Sequence, residues 1–267
     1  MKSRNITKPL ILSVAAIVSV SALAQGRLIA VDSNRSLYEL DMNTGTKTLI
    51  GTVSSNAGIT AGLAYDRAND IIYLTSTSLD SVFTLDLNTG QATLIGPYGD
   101  SSIVMHGLEY DDSTGILYGA SSHNNGLYRI DKNTGAATLI GTSGLTSFTN
   151  LGYNSDTDVM YSTNSGTDSF YIMNRNDGTV TLVGPLNGPT NPNGLAYNWD
   201  NGKMYLIDNS TDNLYTVDMN TGQATLIGST GSGNLLGLMY YNPIPEPATL
   251  LALGVGLAAL ARRRRKE

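Results

Sequence analysis

Apolar and polar residues alternate in short runs along this chain, and the same run returns at a nearly constant spacing. Residues 214–228 read LYTVDMNTGQATLIG, and close copies occupy residues 37–51, 82–96, 127–141 and 170–184. The steps between successive copies are 45, 45, 43 and 44 residues. A repeat of this length predicts a solenoid, a propeller or an array built from one supersecondary unit.

Each copy has the pattern of a β-hairpin. Tyr215 and Val217 alternate with Leu214 and Thr216, as in a strand with one face toward the core. We therefore expect Tyr215 and Val217 to be buried. The same alternation predicts burial of matching residues in other copies: Tyr38, Leu40, Phe83, Leu85, Tyr128 and Ile130. The Asn-Thr-Gly or Asn-Asp-Gly that follows predicts a turn, because glycine accepts a positive φ.

Four apolar runs recur in each repeat, which predicts four strands. Run A has copies at residues 62–65, 107–110, 150–153, 194–197 and 237–240. Run B follows it, for example at residues 71–75, and the hairpin supplies runs C and D. Four antiparallel strands in about 44 residues make one blade of a β-propeller.

The two ends of the array predict how the ring closes. The first repeat starts with run B at residues 26–31 and has no run A, whereas the last repeat is followed by a surplus run A. The sequence therefore predicts an all-β, five-bladed β-propeller over residues 25–242, with the C-terminal strand completing the first blade. Such a closure leaves no free end in the ring. The repeat region resembles propellers of the YVTN/NHL-like kind.

The charge distribution limits the partners of this body. The formal net charge is −6, and half of the 16 Lys and Arg residues lie at the two chain ends, outside the repeats. An acidic body without a Lys/Arg cluster argues against nucleic acid as a partner. The chain has no cysteine, which excludes disulfides, thiol catalysis and Cys-ligated metal.

Residues 1–24 have the features of a signal peptide. A basic start precedes an apolar run, and Ala22 and Ala24 supply the small residues that signal peptidase requires. We expect cleavage after Ala24. The alternative is an uncleaved membrane anchor.

Residues 243–267 have the features of a second targeting segment. Pro245, Glu246 and Pro247 precede an apolar run over residues 248–261, and Arg262, Arg263, Arg264 and Arg265 follow it. The run predicts a short transmembrane helix of about 21 Å, compared with about 30 Å for a hydrocarbon core. The arginines would stay in the cytoplasm, so the body would be exported and held at the inner membrane.

This tail resembles the PEP-CTERM sorting signal of Gram-negative bacteria. The resemblance rests on the Pro-Glu-Pro motif, the short apolar helix and the terminal arginines, and covers about 25 residues. It implies recognition by an exosortase and removal of the tail near the motif. It further implies a bacterium that makes an extracellular polysaccharide or biofilm matrix, with the protein at the cell surface or in that matrix.

The candidate binding surface is the propeller face that carries the B–C and D–A loops, since these loops surround one channel mouth. Alignment of the copies places six polar residues on that face: Asp32, His106, His123, Asn164, Asn193 and Asp208. They would bind a cation or a polar ligand. The alternative is that the aspartates cap turns and the histidines are ordinary loop residues.

Catalysis and cofactors have less support in the sequence. The acidic turns suggest calcium binding, but they lack the terminal glutamate of a calcium-binding loop. No cofactor is therefore expected. Glu39 and Glu109 lie within strands, and the alignment pairs neither of them with a second catalytic carboxylate; no G-x-S-x-G or H-E-x-x-H occurs. Trp199 is expected to be an exposed turn residue, with sugar stacking as the alternative.

The sequence therefore predicts a binding or structural module rather than an enzyme. Its candidate partners are extracellular polysaccharide or surface proteins. The alternative is a secreted hydrolase or lyase acting on a glycan at the channel mouth.

Overall fold

The computed structural model describes residues 26–243, which form the predicted five-bladed β-propeller. The predicted signal peptide, with Ala22 and Ala24, lies outside the described residues. So do the predicted C-terminal helix, Pro245, Glu246, Pro247 and the four arginines. Within residues 26–243, no helix is long and apolar enough to cross a membrane.

Each blade is a four-stranded antiparallel sheet, whose strands are named A to D from the channel outward. Blade 1 has strands B to D as β1 (Arg27–Asp32), β2 (Ser36–Leu40) and β3 (Lys47–Thr52). Blade 2 is β4 (Thr60–Asp66), β5 (Ile71–Ser76), β6 (Ser81–Leu85) and β7 (Ala92–Pro97). Blade 3 is β8 (Met105–Asp111), β9 (Ile116–Ser121), β10 (Gly126–Ile130) and β11 (Ala137–Thr142).

The remaining blades follow the same plan. Blade 4 is β12 (Gly152–Asn154), β13 (Val159–Asn164), β14 (Ser169–Met173) and β15 (Val180–Pro185). Blade 5 is β16 (Pro192–Asn198), β17 (Lys203–Asp208), β18 (Asn213–Val217) and β19 (Ala224–Ser229). The last strand, β20 (Leu235–Tyr241), is strand A of blade 1, and one 3-10 turn occupies Ser55–Ala57.

The predicted closure is confirmed. Strand β20 pairs antiparallel with β1, from Arg27 opposite Tyr241 to Asp32 opposite Leu235. The glycine of run A lets neighbouring innermost strands approach closely: a Cβ on Gly237 would lie 2.2 Å from the Ala61 carbonyl oxygen. The ring is therefore closed by hydrogen bonds between the two ends of the propeller.

The prediction that run C buries only one face was incomplete. Phe83, Tyr128 and Tyr215 are buried as expected, whereas Tyr38 is only half-buried. The opposite face is buried as well, at Leu37, Val82, Leu127, Phe170 and Leu214. A propeller blade packs between two neighbours, so both of its faces enter hydrophobic cores.

The repeated Asp-x-Asn-Thr-Gly turn is a packing device between blades. In the first copy, Asp41 Oδ1 accepts the Asn43 and Thr44 N–H groups at 2.8 and 3.0 Å, and Gly45 has a φ of 77°. The turn then packs on the run-D glycine of the preceding blade. A Cβ on Gly228 would lie 2.0 Å from the Thr44 carbonyl oxygen. Gly96, Gly141 and Gly184 make the same contact and Gly51 does not, so it explains the glycine at the end of run D in four of the five copies.

Candidate functional site

In four of the five blades, the end of the A strand links neighbouring blades on the face that carries the A–B and C–D turns. Four blades have Asp or Asn at this position: Asp66, Asp111, Asn154 and Asn198. Asn154 Oδ1 accepts the turn N–H groups of Asp156 and Thr157, and its Nδ2 donates to Met219 Sδ of the next blade. Asp111 likewise accepts from Arg175 of the next blade. Each side chain thus caps its own turn and contacts its neighbour.

The seam between blades 1 and 2 lacks this link. Tyr241 occupies the equivalent position, and blade 1 has no covalent A–B turn because β20 and β1 come from opposite ends of the propeller. A groove of about 770 Å³ opens there. Its lining includes the apolar side chains of Ile72 and Leu85 and the aromatic ring of Tyr241. The other lining residues are largely polar and include Thr84, Asp86 and Gln91.

A second, much smaller cavity lies at the channel mouth on the same face. It has a volume of about 30 Å³, enough for about two water molecules. The run-A tyrosines of all five blades line it: Tyr65, Tyr110, Tyr153, Tyr197 and Tyr240. Glu109 and Trp199 also contribute to its lining.

Glu109 is the residue of this cavity that departs from the repeat. Its carboxylate oxygens accept the N–H groups of Tyr110 at 2.9 Å and of Tyr153, in the next blade, at 3.0 Å. Burial raises the pKa of Glu109 to about 8, although the two N–H groups favour the ionised form. The carboxyl group is therefore mostly neutral at pH 7.

Sequence reasoning did not single out Glu109, although the alignment held a signal. The third residue of run A is Ala64, Gly152, Ala196 or Met239 in the other blades, so only one blade carries a carboxyl group there. A feature confined to one blade is a better candidate for a special role than one present in all five.

Trp199 is not the exposed residue that its place in a turn suggested. Its ring packs edge-on against Tyr240, with centroids 4.7 Å apart, and the Arg67 guanidinium lies 4.9 Å from its centroid. Arg67 also pairs with Asp112 at 3.5 Å. Trp199 thus closes the channel mouth with contacts inside the propeller.

On the opposite face, the predicted aspartates stabilise turns. Asp32 Oδ1 accepts the N–H groups of Asn34 and Ser36 at 2.9 and 2.7 Å. Asp208 accepts the Thr211 N–H through Oδ1 and the Asn191 N–H through Oδ2. These are the bonds of the turn-capping alternative.

The two predicted asparagines have comparable bonds. Asn164 Oδ1 accepts the N–H groups of Gly166 and Thr167, each at 2.9 Å. Asn193 Nδ2 donates to the Asn191 carbonyl oxygen at 2.8 Å. Across residues 26–243, no group of three His, Asp or Glu side chains is arranged to hold a metal ion.

The two predicted histidines do come together. His106 Nδ1 lies 2.9 Å from Ser122 Oγ, and the same oxygen lies 3.5 Å from His123 Nδ1. Burial, followed by the neighbouring His123, lowers the pKa of His106. The imidazole of His106 is therefore held in its neutral form.

Comparison with known proteins identifies the tail. Residues 243–266 match the family described as "PEP-CTERM protein-sorting motif", which confirms that resemblance. No curated protein sequence matches the chain significantly. With its sorting motif and propeller, the chain is an exported protein of the cell envelope built around a propeller module.

Solved structures confirm the propeller fold. A chain of a nidogen/laminin complex has a TM-score of 0.58 at 14% identity, covering 82% of this chain and 100% of its own length. A Bacteroides thetaiotaomicron protein of unknown function has a TM-score of 0.59 at 16% identity, covering 84% of this chain and 63% of its own. A structure from work on the de novo evolutionary emergence of a symmetrical protein scores 0.55 at 17% identity, covering 83% of this chain and 100% of its own.

Proposed function

We propose that this protein is an exosortase-processed component of the cell surface or extracellular matrix, and that its propeller binds extracellular polysaccharide in the groove between blades 1 and 2. The groove is the observation that carries the proposal. Its volume of about 770 Å³ lies within the range of about 300–1,000 Å³ typical of ligand sites.

The lining of the groove has the chemistry that a sugar chain requires. Tyr241 offers an aromatic ring, Ile72 and Leu85 offer apolar surface, and Asp86 and Gln91 offer hydrogen-bonding groups. An aromatic ring packs against the apolar face of a sugar, while carboxylates and amides bond to its hydroxyl groups. The acidic net charge favours a neutral polysaccharide over an anionic one.

The position of the sorting motif supports the proposed processing. The ring-closing strand ends at Tyr241, and the motif begins at Pro243. Removal of the tail near Pro245–Pro247 would leave every bond between β20 and β1 intact. In this proposal signal peptidase removes residues 1–24, the tail anchors the protein transiently in the inner membrane, and exosortase releases a folded propeller in a Gram-negative polysaccharide producer.

Binding is proposed in preference to catalysis, although one observation favours a hydrolase or lyase. Glu109 is a carboxyl group with a pKa of about 8, which suits a general acid. However, its cavity of about 30 Å³ is far too small for a sugar ring. Both of its oxygens also accept backbone N–H groups. We therefore propose a structural role for Glu109 and no catalytic cofactor for the propeller.

A glycan array and a pull-down with residues 25–242 test this function. The variant Thr84→Ala/Gln91→Ala removes two polar groups from the groove and should weaken polysaccharide binding about tenfold. The matched control is Thr216→Ala/Gln223→Ala in blade 5. Gln91 and Gln223 make the same bond, from Nε2 to the next carbonyl oxygen, at 2.8 and 2.9 Å. Equal binding by both variants, or no retained glycan, would argue against the proposal.

A further inference from the structure

The only two histidines of the 267-residue chain lie beside each other in blade 3. His106 is the second residue of the innermost strand β8, and His123 lies in the turn between β9 and β10. Their Nδ1 atoms approach one hydroxyl oxygen, that of Ser122, at 2.9 and 3.5 Å. Two imidazole nitrogens thus converge on a single point.

The propeller does not need an imidazole at either position. The residue equivalent to His106 is Ala61, Thr149, Asn193 or Leu236 in the other blades. The residue equivalent to His123 is Ser78, Gly166 or Ser210 in the three blades with a turn of the same length. Because all five blades form the same sheet, packing of the fold does not explain why both histidines occur in one blade.

We propose that His106 and His123 bind a divalent first-row transition metal, with Cu²⁺ bound more tightly than Zn²⁺. Imidazole nitrogen is a common ligand of both ions, whereas Ca²⁺ and Mg²⁺ prefer oxygen. The expected order of affinity follows the general order of complex stability, in which Cu²⁺ exceeds Zn²⁺. Water and the Ser122 hydroxyl are the remaining candidate ligands.

The local structure can bring both nitrogens to metal–ligand distance. A Zn–N bond is about 2.0–2.1 Å, so relative to the point now held by Ser122 Oγ the His106 ring must move by about 0.9 Å and the His123 ring by about 1.4 Å. His106 is half-buried and fixed on a strand, whereas His123 is exposed in a turn and can rotate toward it.

The site lies on the face opposite the groove, so its test is independent of polysaccharide binding. The mature exported protein, purified without a histidine tag, should bind Cu²⁺ and give an electron paramagnetic resonance spectrum with two imidazole nitrogens. Zn²⁺ should bind more weakly in a calorimetric titration. Ca²⁺ should give no heat of binding at this site in the same titration.

Two substitutions introduce residues that occur at the equivalent positions of other blades. His106→Asn introduces the residue found at Asn193, and His123→Ser introduces the residue found at Ser78 and Ser210. Each should weaken Cu²⁺ binding about tenfold or more and leave at most one imidazole in the spectrum. Ser78→Ala in blade 2 is the matched control and should bind as the unmodified protein does.

The proposal is overturned if the unmodified protein shows fewer than two imidazole nitrogens around Cu²⁺, a result that does not depend on any variant folding. It is equally overturned if the His106→Asn/His123→Ser double variant keeps the two-nitrogen spectrum. The amino terminus is the same in all variants, so Cu²⁺ held there would persist in the double variant with a different spectrum.

Discussion

The run-D glycines offer a direct test of how the blades pack. In the Gly228→Ala variant, the new Cβ would lie 2.0 Å from the Thr44 carbonyl oxygen and 2.9 Å from the Thr44 carbonyl carbon. Both are backbone atoms of a tight turn and cannot rotate away. Gly228 does not have a positive φ, so the cost comes from this contact and not from backbone strain.

The size of the effect follows from overpacking. Forcing an extra carbon into a well-packed seam costs about 1–3 kcal/mol, which for a domain of this size lowers Tm by about 3–9 °C. Gly51 is the matched control, because nothing lies within 4 Å of its added Cβ. Gly51→Ala should be neutral or stabilise by up to about 1 kcal/mol, since alanine reduces the entropy of the unfolded chain.

Urea unfolding and thermal melts of both variants provide the measurement. Gly228→Ala should lose stability and Gly51→Ala should not. Equal stability of the two variants would refute the claim that the Asp-x-Asn-Thr-Gly turn packs against the preceding blade through this glycine. A loss of stability in Gly51→Ala alone would contradict it more strongly.

Two further predictions concern buried charge. The raised pKa of Glu109 means that the folded state binds a proton more tightly than the unfolded state, so this stabilisation is full below about pH 4.5 and is lost as pH rises through about 8. The stability difference between Glu109→Gln and the unmodified protein should therefore shift toward the variant by up to a few kcal/mol as pH rises from about 5 to about 8.5 in melts, and parallel curves would contradict this. Arg175→Met should cost about 3 kcal/mol in urea unfolding, because it leaves the buried Asp111 carboxylate without its partner. Adding Asp111→Asn should recover most of the loss by recreating the Asn154–Met219 pair, and no recovery would contradict the proposed link between blades.

The blade number and the closure could be predicted because they depend on what the copies share. The number of turn glycines gives the number of blades. The run A that is missing from the first repeat matches the surplus run A after the last repeat. A repeat pattern also records which strands are buried on average. It does not record that Leu214 and Tyr215 both meet neighbouring blades, since a single hairpin read alone has only one obvious apolar face.

The candidate sites were harder to predict because they depend on what the copies do not share. The groove lies at the seam where blade 1 lacks a covalent A–B turn, and the motif that defines the repeat gives no sign of such a gap. Glu109 was visible in the alignment, but its burial and its bond to Tyr153 in the next blade require the ring. The histidines were placed on one face from sequence, whereas their convergence on Ser122 required side-chain positions.

The intact mass of the exported protein tests the central claim most directly, that a closed propeller is exported and its tail is then removed. The protein should be recovered from the outer surface or the medium of a host that contains exosortase. The account predicts a chain that begins at Gln25 and ends near Pro245–Pro247, with the propeller still folded. A mature protein that extends to Glu267 in such a host would contradict it.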